Sequence, residues 1–341
     1  MKDVLNIKWV NSKYMDNMKI VILDGYTLNP GDISWDELKN LGDLTVYDRT
    51  TYDNNHEDLI VERVGSAQAI FTNKTPLSRA VLIRLKNLKF IGVLATGYNI
   101  VDIASAKEFG ITVTNIPTYG TDAVSQMAIA LLLELCHRVG EHSQAVKNGE
   151  WMNHDDWCFW NYPLIELVGK TAGIIGFGRI GRCTEKIAVA LGMKILAYDK
   201  YQDRSLENEY LKYAELDELF KNADVIFLHC PLMEETRGII NKDTLAKMKD
   251  GVMIINNARG SLIVERELTE ALITGKVAGA AVDVVSTEPI RPDNPLLKAG
   301  NCLITPHISW APREARNRLL NIAVHNLKSF MQGKPENVVN A

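Results

Sequence analysis

The sequence has few cysteines, and they form neither pairs nor clusters. The five cysteines lie at positions 136, 158, 183, 230 and 302, an odd number without a C-x-x-C motif. This spacing excludes a disulfide framework and a zinc-type cluster, and it favours a reducing, cytoplasmic setting. His154, Asp155 and Asp156 are consecutive in a predicted loop. Because adjacent loop residues make a poor metal cage, we expect no metal site.

The sequence also lacks a strong net charge and long apolar runs. A formal net charge of −4 gives no general attraction to nucleic acid or anionic membranes. No run reaches the roughly 18 apolar residues that a membrane span requires, so no membrane partner is expected. Residues 1–17 are mixed and polar, unlike a signal peptide. We expect them to be an N-terminal appendage, either from a start upstream of Met18 or as an ordered extension.

Short apolar runs alternate with amphipathic stretches along most of the chain. In the first third, strands are predicted at 19–24, 44–49, 69–73, 89–97 and 111–116. A second series of six strands is predicted at 171–176, 193–199, 224–230, 251–258, 277–285 and 301–306. Strand–helix alternation with short connections predicts parallel sheets covered on both faces, which is an α/β fold. The pattern at 121–139 predicts a buried helix, and the stretch after 310 predicts an amphipathic helix that returns to the first domain.

A glycine motif opens the second series of strands. The segment GIIGFGRIG (173–181) places Gly176, Gly178 and Gly181 between a predicted strand and a predicted helix, with Arg179 and Ile180 at the helix start. Such glycines permit a tight turn, close approach to a pyrophosphate and close helix–strand packing. The helix N-terminus then offers N–H groups to the phosphates. The motif therefore predicts a dinucleotide site.

An acidic residue follows this motif at the end of the next strand. Asp199 lies where a carboxylate bonds the ribose hydroxyls of NAD, and it would repel the extra phosphate of NADP. The alternative is a glycine turn followed by an ordinary strand-end aspartate.

From the two series of strands and the glycine motif, we expect two doubly wound parallel-sheet domains. A Rossmann NAD-binding domain (118–308) would be inserted in a flavodoxin-like substrate domain (1–117 and 309–341).

Three further polar residues follow predicted strands of the second series. Arg259, Glu288 and His307 would meet at the carboxyl edge of the sheet, where ligands bind in such folds. An arginine binds a carboxylate with paired hydrogen bonds, a histidine exchanges a proton with a hydroxyl, and a carboxylate orients the histidine. This set suits reduction of a 2-oxo acid. The alternatives are a surface ion pair for the arginine, a cap for the glutamate and packing against Trp310 for the histidine.

The chain resembles the D-isomer-specific 2-hydroxyacid dehydrogenases. The resemblance rests on GKTAGIIGFGRIG (169–181), NNARGSLIVERELTEAL (256–272), AAVDVVSTEP (280–289) and LITPHI (303–308). It implies that Arg259 binds substrate, that His307 is the acid/base and that Glu288 is its partner.

The same resemblance implies further contacts. The backbone N–H groups of Thr96 and Gly97 would receive the substrate carboxylate, and Lys74 would border the substrate. The nicotinamide half of NAD would contact His229, Cys230, Pro231, Ala258, Asp283 and His307. His229 is expected to be a wall residue rather than the acid/base. For Asp283 the alternative is a buried strand aspartate with backbone partners.

The sequence departs from the commonest family pattern just after His307. Many relatives have glycine two residues on, whereas this chain has Ser309 followed by Trp310. Together with LDGYTLNPGDISWDEL (23–38) and YDRT (47–50), the departure resembles the branch of the family that reduces hydroxypyruvate to D-glycerate. The resemblance implies that Trp310 is a wall of the substrate pocket. D-lactate and other D-2-hydroxyacid dehydrogenases remain alternatives. From another class, an NAD-sensing, corepressor-like binding protein also remains open.

An aromatic stretch, WMNHDDWCFWNYP (151–163), holds three of the six tryptophans. Such a cluster in a loop rarely stays exposed. By resemblance, the region 121–163 of the NAD-binding domain is expected to form a homodimer interface. The alternative is local packing on the helix predicted at 121–139.

Overall fold

The computed structural model describes residues 18–341, and the chain divides into two compact units. Unit 1 comprises the residues up to Gly120 together with Ala311–Ala341, and unit 2 comprises Thr121–Trp310. The appendage expected at 1–17 lies outside the described residues.

The described residues form twelve strands, and every pairing between these strands is parallel. The strands are β1 (Lys19–Ile22), β2 (Asp43–Val46), β3 (Ala69–Thr72), β4 (Phe90–Val93), β5 (Thr112–Thr114), β6 (Thr171–Ile175), β7 (Lys194–Tyr198), β8 (Leu211–Tyr213), β9 (Val225–Leu228), β10 (Val252–Asn256), β11 (Val277–Val282) and β12 (Cys302–Ile304). The α-helices are α1 (Asp36–Lys39), α2 (Glu57–Val64), α3 (Arg79–Leu82), α4 (Ile103–Glu108), α5 (Thr121–His137), α6 (Val139–Lys147), α7 (Arg179–Ala190), α8 (Leu216–Asn222), α9 (Lys242–Lys247), α10 (Glu265–Ile273) and α11 (Arg313–Met331).

Unit 1 is built on a five-stranded sheet of order β2-β1-β3-β4-β5. This is the flavodoxin-like order. Strands β3 and β4 are wholly buried, as their short apolar sequences predict. Helix α11 returns to this unit, and its Phe330 ring lies 5.1 Å from the Phe90 ring of β4. The α/β fold and its flavodoxin-like domain are confirmed.

Unit 2 is built on a seven-stranded sheet of order β12-β11-β10-β9-β6-β7-β8. The prediction of six strands was wrong, because β8 is a three-residue edge strand that pairs with β7. Its sequence, Leu-Lys-Tyr, has no apolar run to signal it. The other six strands occur where the sequence predicts them. With β8 as its third strand, the sheet has the 3-2-1-4-5-6 order of a dinucleotide-binding domain, and β12 extends it at the other edge.

Helix α5 lies against the sheet of unit 2, with apolar residues such as Leu131 and Leu132 in the core. Among the described residues, no single helix has the length and apolarity needed to span a membrane. Taken together, α5 and α6 reach that length and composition, but they are bent by 54° at their break.

Candidate active site

The glycine motif forms the turn between β6 and α7. Gly176 has a φ of +97°, and a Cβ there would lie 2.4 Å from the backbone nitrogen of Cys230. A Cβ on Gly181 would lie 2.3 Å from the carbonyl oxygen of Gly176. Both positions therefore accept only glycine, and the strand, turn and helix pack as the sequence predicts.

The N-terminus of α7 is open. No side chain caps it, and a Cβ on Gly178 would meet nothing within 4 Å. Among residues 18–341, no group accepts a hydrogen bond from the backbone N–H of Gly178, Arg179 or Ile180. Free N–H groups at the positive end of a helix form an anion site. The turn therefore fits the pyrophosphate of a dinucleotide.

Asp199 follows β7 and borders this turn. Its Oδ2 accepts a hydrogen bond of 2.8 Å from Phe177 N, and its Oδ1 accepts one of 3.1 Å from Tyr201 N. The carboxylate is thus fixed beside the glycine loop, where a ribose would lie next to a bound pyrophosphate. This geometry supports the predicted role of Asp199.

His229, Cys230 and Pro231 follow β9 on the other side of the loop. His229 Nε2 lies 2.9 Å from Thr184 Oγ1 of α7. Burial lowers the pKa of His229 to about 4, and burial raises the pKa of the Cys230 thiol to about 11. Both side chains are uncharged near neutral pH, so they add no charge beside the glycine loop. The wall role of His229 stays a prediction.

Arg259 and Ala258 follow β10. The buried side chain of Asn256 holds this loop: its Oδ1 accepts from Ala258 N at 3.1 Å, and its Nδ2 donates to Arg259 O at 3.0 Å. The Arg259 side chain is exposed and donates to Ala258 O at 2.7 Å. No carboxylate pairs with it among the described residues. Its guanidinium keeps donors for an anionic ligand, and the ion-pair alternative finds no support.

Glu288 and His307 form a pair after β11 and β12. Glu288 Oε2 lies 2.7 Å from His307 Nδ1, and both side chains are about a third exposed. Because an ionised carboxylate only accepts hydrogen bonds, Nδ1 carries a proton in this pair. Nε2 is then the ring nitrogen left to exchange a proton with a ligand. The two residues therefore have the arrangement of an oriented acid/base.

Asp283 organises the turn that carries His307. Its carboxylate is 1 % exposed and accepts hydrogen bonds from Thr305 Oγ1 (2.6 Å), Ile308 N (2.9 Å) and Ser309 N (2.8 Å). His307 itself has a φ of +56°, in the left-handed region. This backbone costs on the order of 1–2 kcal/mol for a residue with a Cβ. The hydrogen bonds to Asp283 offset that cost. Asp283 therefore has the backbone partners expected of a buried strand aspartate, and its contact with NAD stays a prediction.

In unit 1, the residues expected to contact substrate follow β3 and β4. Lys74 is exposed, and so are Thr96 and Gly97. Within the described part of the chain, the backbone N–H groups of Thr96 and Gly97 have no acceptor. Thr96 is held by its Oγ1, which donates to Ile116 O at 2.8 Å. The two N–H groups suit a carboxylate ligand, as the resemblance implies.

Asp24, two residues after β1, was missed by the sequence interpretation. Its buried carboxylate accepts from the backbone N–H groups of Asn73 (2.7 Å), Lys74 (2.6 Å) and Thr75 (2.8 Å). It also accepts from the hydroxyl of Thr75 at 3.1 Å. Asp24 therefore fixes the loop that carries Lys74. A polar residue at the end of a buried strand was the available signal.

The aromatic stretch at 151–163 remains largely exposed. Trp151, Trp157 and Trp160 are 52 %, 86 % and 62 % exposed, and Trp151 Nε1 donates to Trp157 O at 2.9 Å. Local packing on α5 therefore does not bury these rings. Trp310, three residues after His307 in the sequence, is half-buried.

Comparison with known proteins adds independent evidence. Residues 129–309 match the model of the D-isomer specific 2-hydroxyacid dehydrogenase NAD binding domain. The chain is 62 % identical to the hydroxypyruvate reductase of Blautia hydrogenotrophica over 95 % of this chain and 100 % of the relative. It is 39 % identical to the glycerate dehydrogenase of Methylorubrum extorquens over 83 % of this chain and 88 % of the relative.

Solved structures show the same likeness. The apo-structure of D-lactate dehydrogenase from Escherichia coli has a TM-score of 0.81 and 29 % identity, covering 94 % of this chain and 100 % of that one. Both comparisons thus point to the same family as the sequence resemblance. The chain belongs to the D-isomer specific 2-hydroxyacid dehydrogenase family and is an NAD-dependent oxidoreductase.

Proposed function

We propose that the protein reduces hydroxypyruvate to D-glycerate with NADH. The observation that carries the proposal is the Glu288–His307 pair, which lies on the same sheet edge as the glycine loop and Arg259. The 62 % identity to a hydroxypyruvate reductase supports the choice of substrate. Ser309 and Trp310, which resemble the same branch of the family, support it as well.

We propose the following roles for the cofactor and the site residues. NADH, when bound, supplies a hydride to the 2-carbon of the 2-oxo acid. His307 Nε2 gives the proton that converts the carbonyl oxygen to a hydroxyl, and Glu288 holds the ring with Nδ1 protonated. Arg259 binds the substrate carboxylate and polarises the neighbouring carbonyl.

Further contacts follow from the resemblance and are supported by the free backbone donors. Thr96 N and Gly97 N would bind the substrate carboxylate, Lys74 would border the substrate and Trp310 would shape its pocket. The pyrophosphate would bind at the glycine loop and the first turn of α7, with the ribose on Asp199. His229, Cys230, Pro231, Ala258 and Asp283 would line the nicotinamide half.

Residues 118–308 would form the NAD-binding domain, and residues 1–117 with 309–341 the substrate domain. We also propose a homodimer through the region 121–163, supported by its exposed tryptophans. The five cysteines are all free, which supports a reducing, cytoplasmic setting.

A substrate panel tests the proposed reaction. Hydroxypyruvate, glyoxylate, pyruvate and phosphohydroxypyruvate are compared by kcat/KM with NADH and with NADPH. We expect hydroxypyruvate with NADH to give the highest value. A higher value for pyruvate would favour the D-lactate dehydrogenase alternative. NADH binding without turnover of any 2-oxo acid would favour the sensor alternative.

A further inference from the structure

Asn257 joins three parts of unit 2 through one buried amide. It follows the last residue of β10 and lies two residues before Arg259. Its Nδ2 donates to Val124 O, in the first turns of α5, at 2.8 Å, and to Ser309 Oγ at 3.3 Å. The side chain therefore links the Arg259 loop, the His307 turn and helix α5.

This link leaves a buried oxygen without a partner. Asn257 is 7 % exposed, and its Oδ1 has no hydrogen-bond partner among the described residues. Reversing the amide would place this oxygen against the carbonyl of Val124, where two acceptors repel, so the orientation is fixed by chemistry. A buried unpaired oxygen is destabilising. A leucine of the same shape would avoid that cost.

Ser309 completes the link from the other side. Its N–H is bound by Asp283, so its backbone position is fixed by the same carboxylate that holds the His307 turn. Its hydroxyl accepts from Asn257. A glycine at 309, as in many relatives, has no hydroxyl to accept this bond. The link therefore depends on the hydroxyl of Ser309.

We propose that Asn257, acting through Ser309, is a positioning residue. It fixes the positions of Arg259 and His307 relative to each other. The proposal rests on the proposed function, because it assigns substrate binding to Arg259 and proton transfer to His307. It explains why a destabilising buried oxygen is kept at this place: the amide is needed for its two donors. A side chain without donors would remove this direct link between the loop and the turn.

The test compares Asn257→Leu with Ser309→Ala and with the double variant. We expect Asn257→Leu to lower kcat about 10-fold, since small displacements of reacting groups have large effects on rate. Its unfolding midpoint should be unchanged or higher. Ser309→Ala should lower kcat to a smaller extent, and the double variant should match Asn257→Leu alone because both remove the same link. The isotope effect on kcat/KM with NADH deuterated at the transferred position should rise.

Asn301→Leu is the matched control. Its amide donates to the carbonyls of Leu272 and Ala278, away from Arg259 and His307. It should lower the unfolding midpoint and leave kcat unchanged. Asn257→Leu with wild-type kcat, or with kcat lost in proportion to folded protein, overturns the inference. His307→Gln with wild-type kcat would instead contradict the proposed mechanism, so the two failures are distinguishable.

Discussion

Glu288 Oε2 and His307 Nδ1 are 2.7 Å apart, and this contact joins the ends of two neighbouring strands. His307→Gln keeps a polar side chain but cannot exchange the proton. We expect kcat for hydroxypyruvate to fall about 10²–10⁴-fold with little change in NADH affinity. The measurement is steady-state kinetics with a binding titration of NADH.

His325→Gln is the matched control for that substitution. His325 Nε2 lies 3.1 Å from Glu336 Oε2 on the surface of unit 1, so it repeats the histidine–carboxylate pair away from the proposed site. It should retain wild-type kcat. Equal losses in both variants would mean that the His307 result reports a general effect of removing a histidine pair.

Asp24→Asn should loosen the loop that carries Lys74. The amide replaces one acceptor oxygen with an NH2 group, which cannot accept hydrogen bonds. The backbone N–H groups of Asn73, Lys74 and Thr75 therefore lose their charged acceptor. We expect KM for hydroxypyruvate to rise more than kcat falls, with a stability loss of about 2 kcal/mol. Asp58→Asn is the control, because this exposed carboxylate contacts Arg84, at 2.7 Å, on the surface. It should change neither KM nor the stability. An unchanged KM in Asp24→Asn would show that the position of Lys74 is unimportant for substrate binding.

The stability of the protein should depend on pH through His229. The ordinary pKa of 6.5 applies in the unfolded chain, whereas burial lowers it to about 4 in the folded chain. The unfolded state therefore takes up a proton first as the pH falls. The stabilisation is present above pH 6.5, declines by about 1.4 kcal/mol per pH unit on the way to pH 4, and levels off below that.

His229→Gln isolates this contribution. The difference between the wild-type and variant free energies of unfolding, measured by urea denaturation from pH 7 to 4, should follow that slope. A difference independent of pH would show that His229 is protonated alike in both states.

Asp199→Asn should weaken the preference for NADH over NADPH. The amide keeps an oxygen to accept from Phe177 N, but it removes the negative charge that repels an added phosphate. The ratio of kcat/KM for the two cofactors should fall roughly 10-fold, which is about 1.4 kcal/mol. Asp203→Asn, at an exposed residue four positions on, is the control and should leave the ratio unchanged. A preference that persists in Asp199→Asn would place cofactor discrimination elsewhere.

Trp157→Arg should weaken the proposed homodimer. The ring is 86 % exposed in the single chain, and a charge there is costly to bury between two copies. We expect the dissociation constant from sedimentation velocity to rise at least about 10-fold. Tyr201→Arg, at a ring that is 82 % exposed outside the aromatic stretch, should have no effect. A monomeric wild-type protein would contradict the proposal.

The position of the candidate site was predictable because parallel strands place their carboxyl ends at one edge. Arg259, Glu288 and His307 each follow a strand that the sequence marks by an apolar run. The glycine loop follows another such strand in the same sheet. No contact across the fold was needed for this inference.

The supporting residues were harder to predict for a physical reason. Asn257 bonds to Val124 and Ser309, which lie 133 and 52 residues away in the sequence. The bond to Val124 exists only after α5 has packed on the sheet, and the bond to Ser309 only after β10 and β12 have joined the same sheet. The role of Asp24 was easier to predict, because a carboxylate that follows a buried strand must find hydrogen-bond donors nearby. Edge strand β8 was missed because three residues that alternate in burial carry too little pattern.

The insertion of unit 2 within the sequence of unit 1 has a consequence for synthesis. Unit 2 is continuous, whereas the core of unit 1 includes α11, whose Phe330 packs on Phe90 across more than half of the chain. Domains emerge from the ribosome in sequence order and fold as units. We therefore expect unit 2 to become protease-resistant first on a stalled ribosome. Strands β1–β5 are made earlier but should stay protease-sensitive until α11 has been synthesised.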